Sequence, residues 1–243
     1  MELPKQKTEA SKKWRDQKFL IIGPGKTGKS AFLAEDERAL FLECESGLNH
    51  LSVMKVPIRG WDDIRAVYGA LAKEVTSGKE LAYDLLVIDT GDKMADFAQE
   101  EVICRAQEKF KKVEINAISD VPNGAGWFQF TKLFHNALDK FSELPLAVAV
   151  ISHYSMKEIQ EPTRKYHKET ISISGQCGTK LIHWADHTLN LKASYVGHEL
   201  RRHFVTKPSL AVEAGSRGNV VPDGFKLNVD MAENYKRFRE LFD

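Results

Sequence analysis

The residues best suited to chemistry form one glycine-rich segment near the amino terminus. It fits the pattern G-x-x-x-x-G-K-S, in which glycines let consecutive backbone N–H groups turn inward around phosphate oxygens. In that pattern the lysine, here Lys29, reaches the β- and γ-phosphates, and the hydroxyl of Ser30 is a ligand for Mg²⁺. The full segment is Gly23, Pro24, Gly25, Lys26, Thr27, Gly28, Lys29 and Ser30, followed by Ala31. It predicts a P-loop that binds a nucleoside triphosphate, ATP, together with Mg²⁺.

Carboxylates at the ends of apolar runs are the next candidates. Asp89 ends the run LLVID, which suits an acid that holds the Mg²⁺ shell through Ser30 or a water; a helix cap is the alternative. Hydrolysis also needs a base that orients a water in line with the γ-phosphate. Glu43 and Glu45 both lie near the end of the run ALFLE, and the spacing favours Glu45, which lies just beyond the strand end. A solvated turn glutamate is the alternative for Glu45.

Apolar runs of strand length alternate with helical patterns through the first two-thirds of the chain. One run ends at Gly23, before the P-loop, and a helical pattern starts at Ser30, so the motif lies between a strand and a helix. Three more runs predict buried strands, at residues 39–43, 85–89 and 146–151. This alternation is typical of parallel strands joined by helical crossovers. It predicts an α/β fold with a mostly parallel sheet flanked by helices.

The pattern changes after the fourth strand. A polar stretch over residues 152–170 suits either a functional loop or a disordered one. Beyond it, residues 187–192, 199–206 and 224–229 predict antiparallel strands at the C-terminal end. A stripe of apolar residues at helical spacing is predicted to lie in the core: Trp127, Phe130, Phe134, Leu138 and Phe141. We expect residues 1–18 to form a flexible or helical tail and residues 19–243 to form one domain.

Composition limits where the protein works and what it binds. The chain has 243 residues, of which 42% are hydrophobic, so it can bury a substantial core. Its 35 basic and 34 acidic side chains nearly cancel, so any binding to a polyanion must be local. The three cysteines form no CxxC pair, which indicates a reducing compartment. The longest apolar run, residues 146–151, is too short to cross a bilayer, so we expect a cytoplasmic protein that does not bind membranes.

Four segments, taken in order, resemble the RecA-like ATPases. They are the P-loop, a strand ending in ECESGL, the segment YDLLVIDT that contains Asp89, and a strand ending in ISH at His153. More narrowly, the chain resembles the small phage nucleotide-binding proteins of AAA type that are proposed to act in recombination and single-strand annealing. Weaker similarities to the same family follow at residues 172–175, 184–187 and 213–217. The resemblance therefore extends from Phe19 to about Leu227.

This resemblance implies a RecA-like core and roles for three further residues. Glu45 falls where RecA-like enzymes keep the glutamate that activates water, and His153 takes the position of a polar γ-phosphate sensor, usually glutamine in the recombinases. Arg217 lies where relatives that form rings or filaments present an arginine finger to the neighbouring subunit. Those relatives often have K-x-R there, whereas Gly215 replaces the lysine here, which weakens this inter-subunit role. The implied catalytic set is Lys29, Glu45, Asp89, His153 and Arg217.

A DNA-contacting loop directly after His153 is also implied by the resemblance. Four cations in the polar stretch could neutralise phosphates: Lys157, Arg164, Lys165 and Lys168. Acidic residues are interleaved with them, so a solvated charged loop is the alternative. The resemblance thus implies a homo-oligomeric ATPase that single-stranded DNA stimulates and that assists phage-type recombination or annealing. A single-stranded-DNA-binding protein is a further implied partner.

Three other classes of protein share the same P-loop. A helicase or packaging motor would use every motif above, although 243 residues leave little room for an accessory domain. A small-molecule kinase needs a basic lid, and no compact arginine-rich segment is present in the sequence. A nucleotide switch that does not hydrolyse ATP would bind the nucleotide without a working water-activating base.

Overall fold

Short apolar runs that are buried on both faces form the centre of a ten-stranded sheet. The computed structural model describes residues 11–173 and 175–242. The strands are β1 (Lys18–Gly23), β2 (Ala39–Glu43), β3 (Met54–Pro57), β4 (Leu85–Asp89), β5 (Ala147–Glu161), β6 (Arg164–Ile171), β7 (His187–Val196), β8 (Glu199–Val205), β9 (Gly215–Ser216) and β10 (Phe225–Leu227). The helices are α1 (Lys29–Leu33), α2 (Trp61–Thr76), α3 (Gly91–Lys109), α4 (Ala125–Ser142), α5 (Gly175–Trp184) and α6 (Met231–Arg239). Short 3₁₀ helices cover Trp14–Asp16, Ile118–Asp120, Pro122–Gly124, Arg217–Asn219 and Glu240–Phe242.

The order of the strands confirms the predicted fold class. Across the sheet the order is β10-β8-β7-β1-β5-β4-β2-β3, with β6 paired to β5 and β9 paired to β7. All neighbours from β7 to β3 in this order are parallel, whereas β8 and β10 run antiparallel. Helices lie in the crossovers between successive parallel strands, except in the one from β2 to β3, which is a loop. The result is a mostly parallel α/β sheet with antiparallel strands towards the C-terminal end.

Helices cover both faces of the sheet. Successive side chains of a strand point to opposite faces, so Leu20 packs into the core under α2, α3, α4 and α5, and Ile21 packs into the core under α1 and α6. Four members of the predicted apolar stripe on α4 are buried, which confirms their assignment to the core: Phe130, Phe134, Leu138 and Phe141. The prediction for Trp127 is wrong. It lies in the first turn of α4, where the stripe reaches the surface, and it is 50% exposed.

The polar stretch after the fourth strand forms a regular β-hairpin, not the loop or disordered segment expected from its composition. The first residues of β5 are fully buried, and the same strand then continues without a break into an exposed half. That exposed half pairs with β6 from Tyr154 opposite Ile171 to Glu161 opposite Arg164. Cross-strand hydrogen bonds satisfy the backbone here without a buried apolar face, which is why hydrophobic periodicity gave no signal.

Part of the predicted amino-terminal tail belongs to the core. Residues 1–10 lie outside the described residues, but Trp14 is only 3% exposed. Its ring packs 5.0 Å from that of Phe19 and 5.5 Å from that of Phe242, measured between centroids. The guanidinium of Arg239 lies over the indole, 4.3 Å from its centroid. Trp14 therefore joins the start of β1 to the end of the chain.

Replacing Trp14 by alanine is expected to lower the free energy of unfolding by about 3 kcal/mol, because a large buried aromatic leaves a cavity. Urea denaturation monitored by circular dichroism would measure the loss. Trp127→Ala is the matched control, since that indole is half exposed and its removal should cost far less. Equal losses for the two variants would contradict the assignment of Trp14 to the core.

Within residues 11–173 and 175–242, no helix is both long and apolar enough to cross a membrane.

Candidate nucleotide-binding site

Residues from four parallel strands converge at one edge of the sheet. The carboxyl ends of β1, β5, β4 and β2 lie side by side, with Gly23 opposite His153 and Glu43 opposite Asp89. A cleft of about 330 Å³ opens at this edge. It is lined by residues 25–31 of the predicted P-loop together with the predicted catalytic residues Glu45, Asp89 and His153. The fold thus brings four of the five predicted catalytic residues, Lys29 included, into one place.

Glycines are required at two points of the P-loop. Gly28 has a φ of +100°, which favours glycine, and it directly precedes the first residue of α1. A Cβ at Gly23 would lie 2.9 Å from the carbonyl oxygen of Leu191, so the loop can leave the sheet there only without a side chain. The hydroxyl of Thr27 donates a hydrogen bond of 2.8 Å to the carbonyl oxygen of Pro24 and closes the loop. This compact turn leads directly into a helix N-terminus, the backbone arrangement that suits a phosphate.

The ammonium group of Lys29 folds back over this loop. Lys29 is 6% exposed, and its Nζ donates to the carbonyl oxygens of Gly23 at 2.8 Å and Pro24 at 2.7 Å. Burial lowers the pKa of Lys29, and the negative charge of Asp89 nearby acts in the opposite direction. A buried ammonium beside a glycine-rich loop is the charge that a triphosphate requires.

Ser30, which is half-buried, and Asp89, which is buried, form a second pair in the cleft. The hydroxyl of Ser30 donates to Oδ2 of Asp89 at 2.6 Å. Burial raises the pKa of the Asp89 carboxyl, while the Ser30 hydrogen bond and the charge of Lys29 lower it. A hydroxyl and a carboxylate are hard oxygen ligands of the kind that Mg²⁺ prefers, so these residues fit the ion. Mg²⁺, when bound here, would neutralise charge on the phosphate oxygens.

The two glutamates near the end of β2 have different surroundings. Glu45 is exposed in the cleft, where its Oε1 accepts a hydrogen bond of 2.6 Å from the hydroxyl of Thr90. Glu43 is 9% exposed and accepts a 2.9 Å hydrogen bond from Nζ of Lys55, which lowers its pKa. Glu43 therefore forms an ion pair with Lys55 inside the protein, and Glu45 is the glutamate that faces the cleft.

Asp92 was missed by sequence reasoning. It lies in the first turn of α3, and its carboxylate accepts hydrogen bonds from the Ser152 hydroxyl at 3.0 Å, from the backbone N–H of His153 at 2.9 Å and from the Ser172 hydroxyl. Burial raises its pKa, and these hydrogen bonds oppose the shift. Nδ1 of His153 is 3.5 Å from Oδ2 of Asp92. The sequence feature that could have revealed Asp92 is a second carboxylate three residues after Asp89, at the start of a helix.

Arg217 lies away from this cleft. Its guanidinium donates to Oδ1 of Asp186 at 2.7 Å and to the carbonyl oxygen of His183 at 2.8 Å. Asp186 also accepts a hydrogen bond from the backbone N–H of Lys18, the first residue of β1. The P-loop follows the last residue of β1, roughly 16 Å further along at the usual rise of a strand. Within one chain, Arg217 is therefore at the opposite edge of the sheet from the phosphate cleft.

The four cations predicted to contact DNA lie on the β5–β6 hairpin, but not on one face. Strand alternation places Lys157, Arg164 and Lys168 on one side, which we call the basic face, and Lys165 on the other. Arg164 pairs with Glu161 at 2.7 Å, and Lys168 pairs with Glu213 at 2.7 Å. Lys165 lies 3.6 Å from Glu158. Interleaved acids thus partly neutralise three of the four cations.

Together, the sheet order and the P-loop site define a P-loop ATPase fold. A family model described as "AAA domain" matches residues 15–218, which is most of the chain. The chain belongs to this AAA domain family. No curated protein sequence matches it significantly.

Several solved structures are similar to this chain at low identity. The RadB recombinase is 12% identical, with a TM-score of 0.47 and coverage of 89% of each chain. A KaiC-like protein from Pyrococcus horikoshii OT3 is 13% identical, with a TM-score of 0.41 and coverage of 78% of this chain and 77% of that chain. The flagellar accessory protein FlaH from Methanocaldococcus jannaschii is 11% identical, with a TM-score of 0.41 and coverage of 83% and 82%.

Proposed function

We propose that this protein binds ATP with Mg²⁺, hydrolyses it slowly, and couples the nucleotide state to single-stranded DNA within a homo-oligomer. Phage-type recombination or strand annealing is the process that this activity would serve. One observation carries the proposal. Strand β5 runs without a break from His153, which lines the phosphate cleft, to Lys157 on the exposed hairpin, four residues further along.

The chemistry assigned to the cleft is attack of water on the γ-phosphate. Glu45 accepts a proton from the water while the water oxygen bonds to the γ-phosphorus, and the bond from that phosphorus to the β–γ bridging oxygen breaks. ADP and inorganic phosphate are the products. Thr90 orients Glu45 through its hydrogen bond, and Lys29 stabilises the negative charge on the phosphate oxygens. His153 donates a hydrogen bond to the γ-phosphate and so distinguishes ATP from ADP.

Coupling to the hairpin follows from the contacts around Asp92. This carboxylate accepts hydrogen bonds from the backbone of His153 and from the hydroxyls of Ser152 and Ser172. The backbone N–H of Ser172 donates to the carbonyl oxygen of His153 at 3.0 Å. Both strands of the hairpin are therefore tied at their base to one carboxylate beside the cleft. A shift of His153 towards a γ-phosphate would change the position of both strands together.

The basic face of the hairpin has groups that suit the phosphate backbone of a single strand and the stacking of one of its bases. Among the described residues, Lys157 is exposed and has no ion-pair partner. The guanidinium of Arg164 lies 5.4 Å from the centroid of the Tyr166 ring on the same face. An ammonium group for phosphate and an aromatic ring for stacking are what proteins use on single strands.

Replacing both Lys157 and Arg164 by alanine is expected to weaken single-stranded DNA binding roughly tenfold, because two phosphate contacts are lost. The dependence of log affinity on log salt should fall by about 1.4, at ~0.7 per contact for single strands. Fluorescence anisotropy with a labelled oligonucleotide across a salt series measures both quantities. DNA-stimulated hydrolysis of ATP should fall in parallel, while the rate without DNA should not change.

Lys165→Ala is the matched control, since it removes a cation from the opposite face of the same hairpin. We expect near wild-type affinity from this variant. If wild-type ATPase activity at low salt does not change when single-stranded DNA is added, the recombination proposal fails. Equal losses for the two variants would instead assign DNA binding to the net charge of the hairpin and not to the basic face.

An oligomer would give Arg217 a role that one chain cannot. Its side chain is 62% exposed at the edge of the sheet opposite the cleft. A head-to-tail arrangement of subunits would bring that edge against the phosphate cleft of the next subunit. Arg217 would then exchange its contact with Asp186 for the neighbour's γ-phosphate. This arrangement is part of the proposal and fits either a ring or a filament.

A further inference from the structure

A second arginine, Arg202, approaches the P-loop from within the same chain. It lies on β8, opposite Ala193 of β7 and Leu227 of β10. Side chains two residues apart on a strand share a face, so Arg202 lies on the same face as Phe204, which packs against Phe32 of α1. This is the face of the sheet on which the P-loop continues into its helix. No sequence pattern singles out Arg202.

The guanidinium lies next to Gly28 of the P-loop. A Cβ at Gly28 would be 3.8 Å from Nε of Arg202 and 3.3 Å from Cε of Met231. Arg202 is thus within reach of a ligand held by the loop. It reaches the loop from the side of β7 and β8, whereas the catalytic carboxylates and His153 lie on the side of β5, β4 and β2.

Among the described residues, Arg202 has no protein partner for its charge. Its Nε is buried and has no hydrogen-bond acceptor within residues 11–173 and 175–242, and no ion pair involves this guanidinium in that part of the chain. The neighbouring Arg201 differs, because it points to the opposite face, is exposed, and lies 3.5 Å from Glu199. Burying an N–H donor of a charged group costs free energy unless a hydrogen-bond acceptor pairs with it. An unpaired donor beside an anion-binding loop therefore indicates that a ligand supplies the acceptor.

We propose that Arg202 binds the nucleotide in cis, through phosphate oxygens that ADP and ATP have in common. This inference rests on the nucleotide site proposed above. The proposal rests on the direction from which Arg202 approaches the P-loop. Glu45 and His153 lie on the γ-phosphate side, whereas Arg202 reaches the loop from the other side of β1. Charge-assisted hydrogen bonds from a guanidinium to phosphate are short and strong.

Isothermal titration calorimetry with ADP and with ATP, each with Mg²⁺, tests the proposal. Arg202→Ala should weaken both ligands by a similar factor, roughly tenfold to a hundredfold, as expected for the loss of hydrogen bonds to a charged group. Arg202→Lys should recover part of the affinity because it keeps the charge. Arg201→Ala is the matched control, one residue away on the opposite face, and should bind both nucleotides like the wild type.

The outcomes separate this inference from the proposed function. If the wild type binds neither nucleotide, the proposed function fails. If the wild type binds and Lys29→Ala does not, but Arg202→Ala binds like the wild type, the inference about Arg202 is overturned and the nucleotide site stands. A loss confined to ATP would also overturn it, because it would assign Arg202 to the γ-phosphate. Circular dichroism checks the fold of each variant, and Arg202→Met, which keeps the aliphatic stem, replaces the alanine variant if that does not fold.

Discussion

Hydrolysis of ATP is expected to fall about 1000-fold when Lys29 is replaced by alanine. In the folded protein its ammonium is buried against the P-loop and hydrogen-bonded to the carbonyl oxygens of Gly23 and Pro24. Both partners belong to the same loop, so the ammonium lies beside the residues that would hold a triphosphate. A thousandfold loss corresponds to about 4 kcal/mol, the order found when one strong preorganised donor is removed.

Release of inorganic phosphate at saturating ATP measures this effect, and kcat/KM should fall at least as far as kcat. Lys73→Ala removes an exposed ammonium on α2, away from the cleft, and serves as the control. Since Lys29 also holds the loop carbonyls, Lys29→Met and thermal unfolding of each variant separate lost chemistry from lost structure. Activity within tenfold of the wild type in a folded Lys29 variant would refute the assignment of the phosphate site.

Much of the site could be predicted because parallel strands end at one edge. The apolar runs before Gly23, Glu43 and Asp89 identified three strands, and their carboxyl ends must meet once the strands are parallel neighbours. The P-loop pattern added the turn and the helix start. The spacing favours Glu45 over Glu43, and in the structure Glu43 is hydrogen-bonded to Lys55 whereas Glu45 lines the cleft.

What the sequence could not supply depends on contacts between distant segments. Asp92 interacts with Ser152 and Ser172, which are 60 and 80 residues away along the chain. Arg202 reaches Gly28 only because β7 and β8 fold back beside β1. Neither contact leaves a periodic pattern in the sequence. Both become visible only when the order of the strands is known.

Trp127 and the β5–β6 hairpin show a different limit. The spacing of Trp127 with Phe130 and Phe134 is that of a buried stripe, but periodicity does not reveal where a helix passes the edge of its sheet. In the hairpin, polar side chains lie on both faces, so the strands show no alternation of apolar and polar residues. Backbone pairing alone defines them. Patterns of burial therefore predict the covered parts of this fold and fail at its exposed extensions.

Glu45→Gln is expected to lower the turnover of ATP by a factor of about 100 to 1000 while leaving the affinity for ATP within about threefold. The amide keeps the size of the side chain and can still accept the hydrogen bond from Thr90, but it cannot take a proton from water. Single-turnover hydrolysis gives the chemical step, and equilibrium titration with ATP gives the affinity. A binding-competent variant without turnover would also argue against a nucleotide switch that never hydrolyses ATP.

Glu43→Gln is the informative comparison because it changes the same group two residues earlier. Glu43 is an acceptor for Lys55 and for the backbone N–H of Leu48, and the Lys55 hydrogen bond lowers its pKa. Its folded pKa is depressed, so its contribution to stability is present above the unfolded value and is lost as the pH falls through the folded value. We therefore expect Glu43→Gln to lower stability at neutral pH and to keep the turnover of the folded fraction. If instead Glu43→Gln abolished turnover and Glu45→Gln did not, the water-activating base would be the buried glutamate, and the roles assigned here would have to be exchanged.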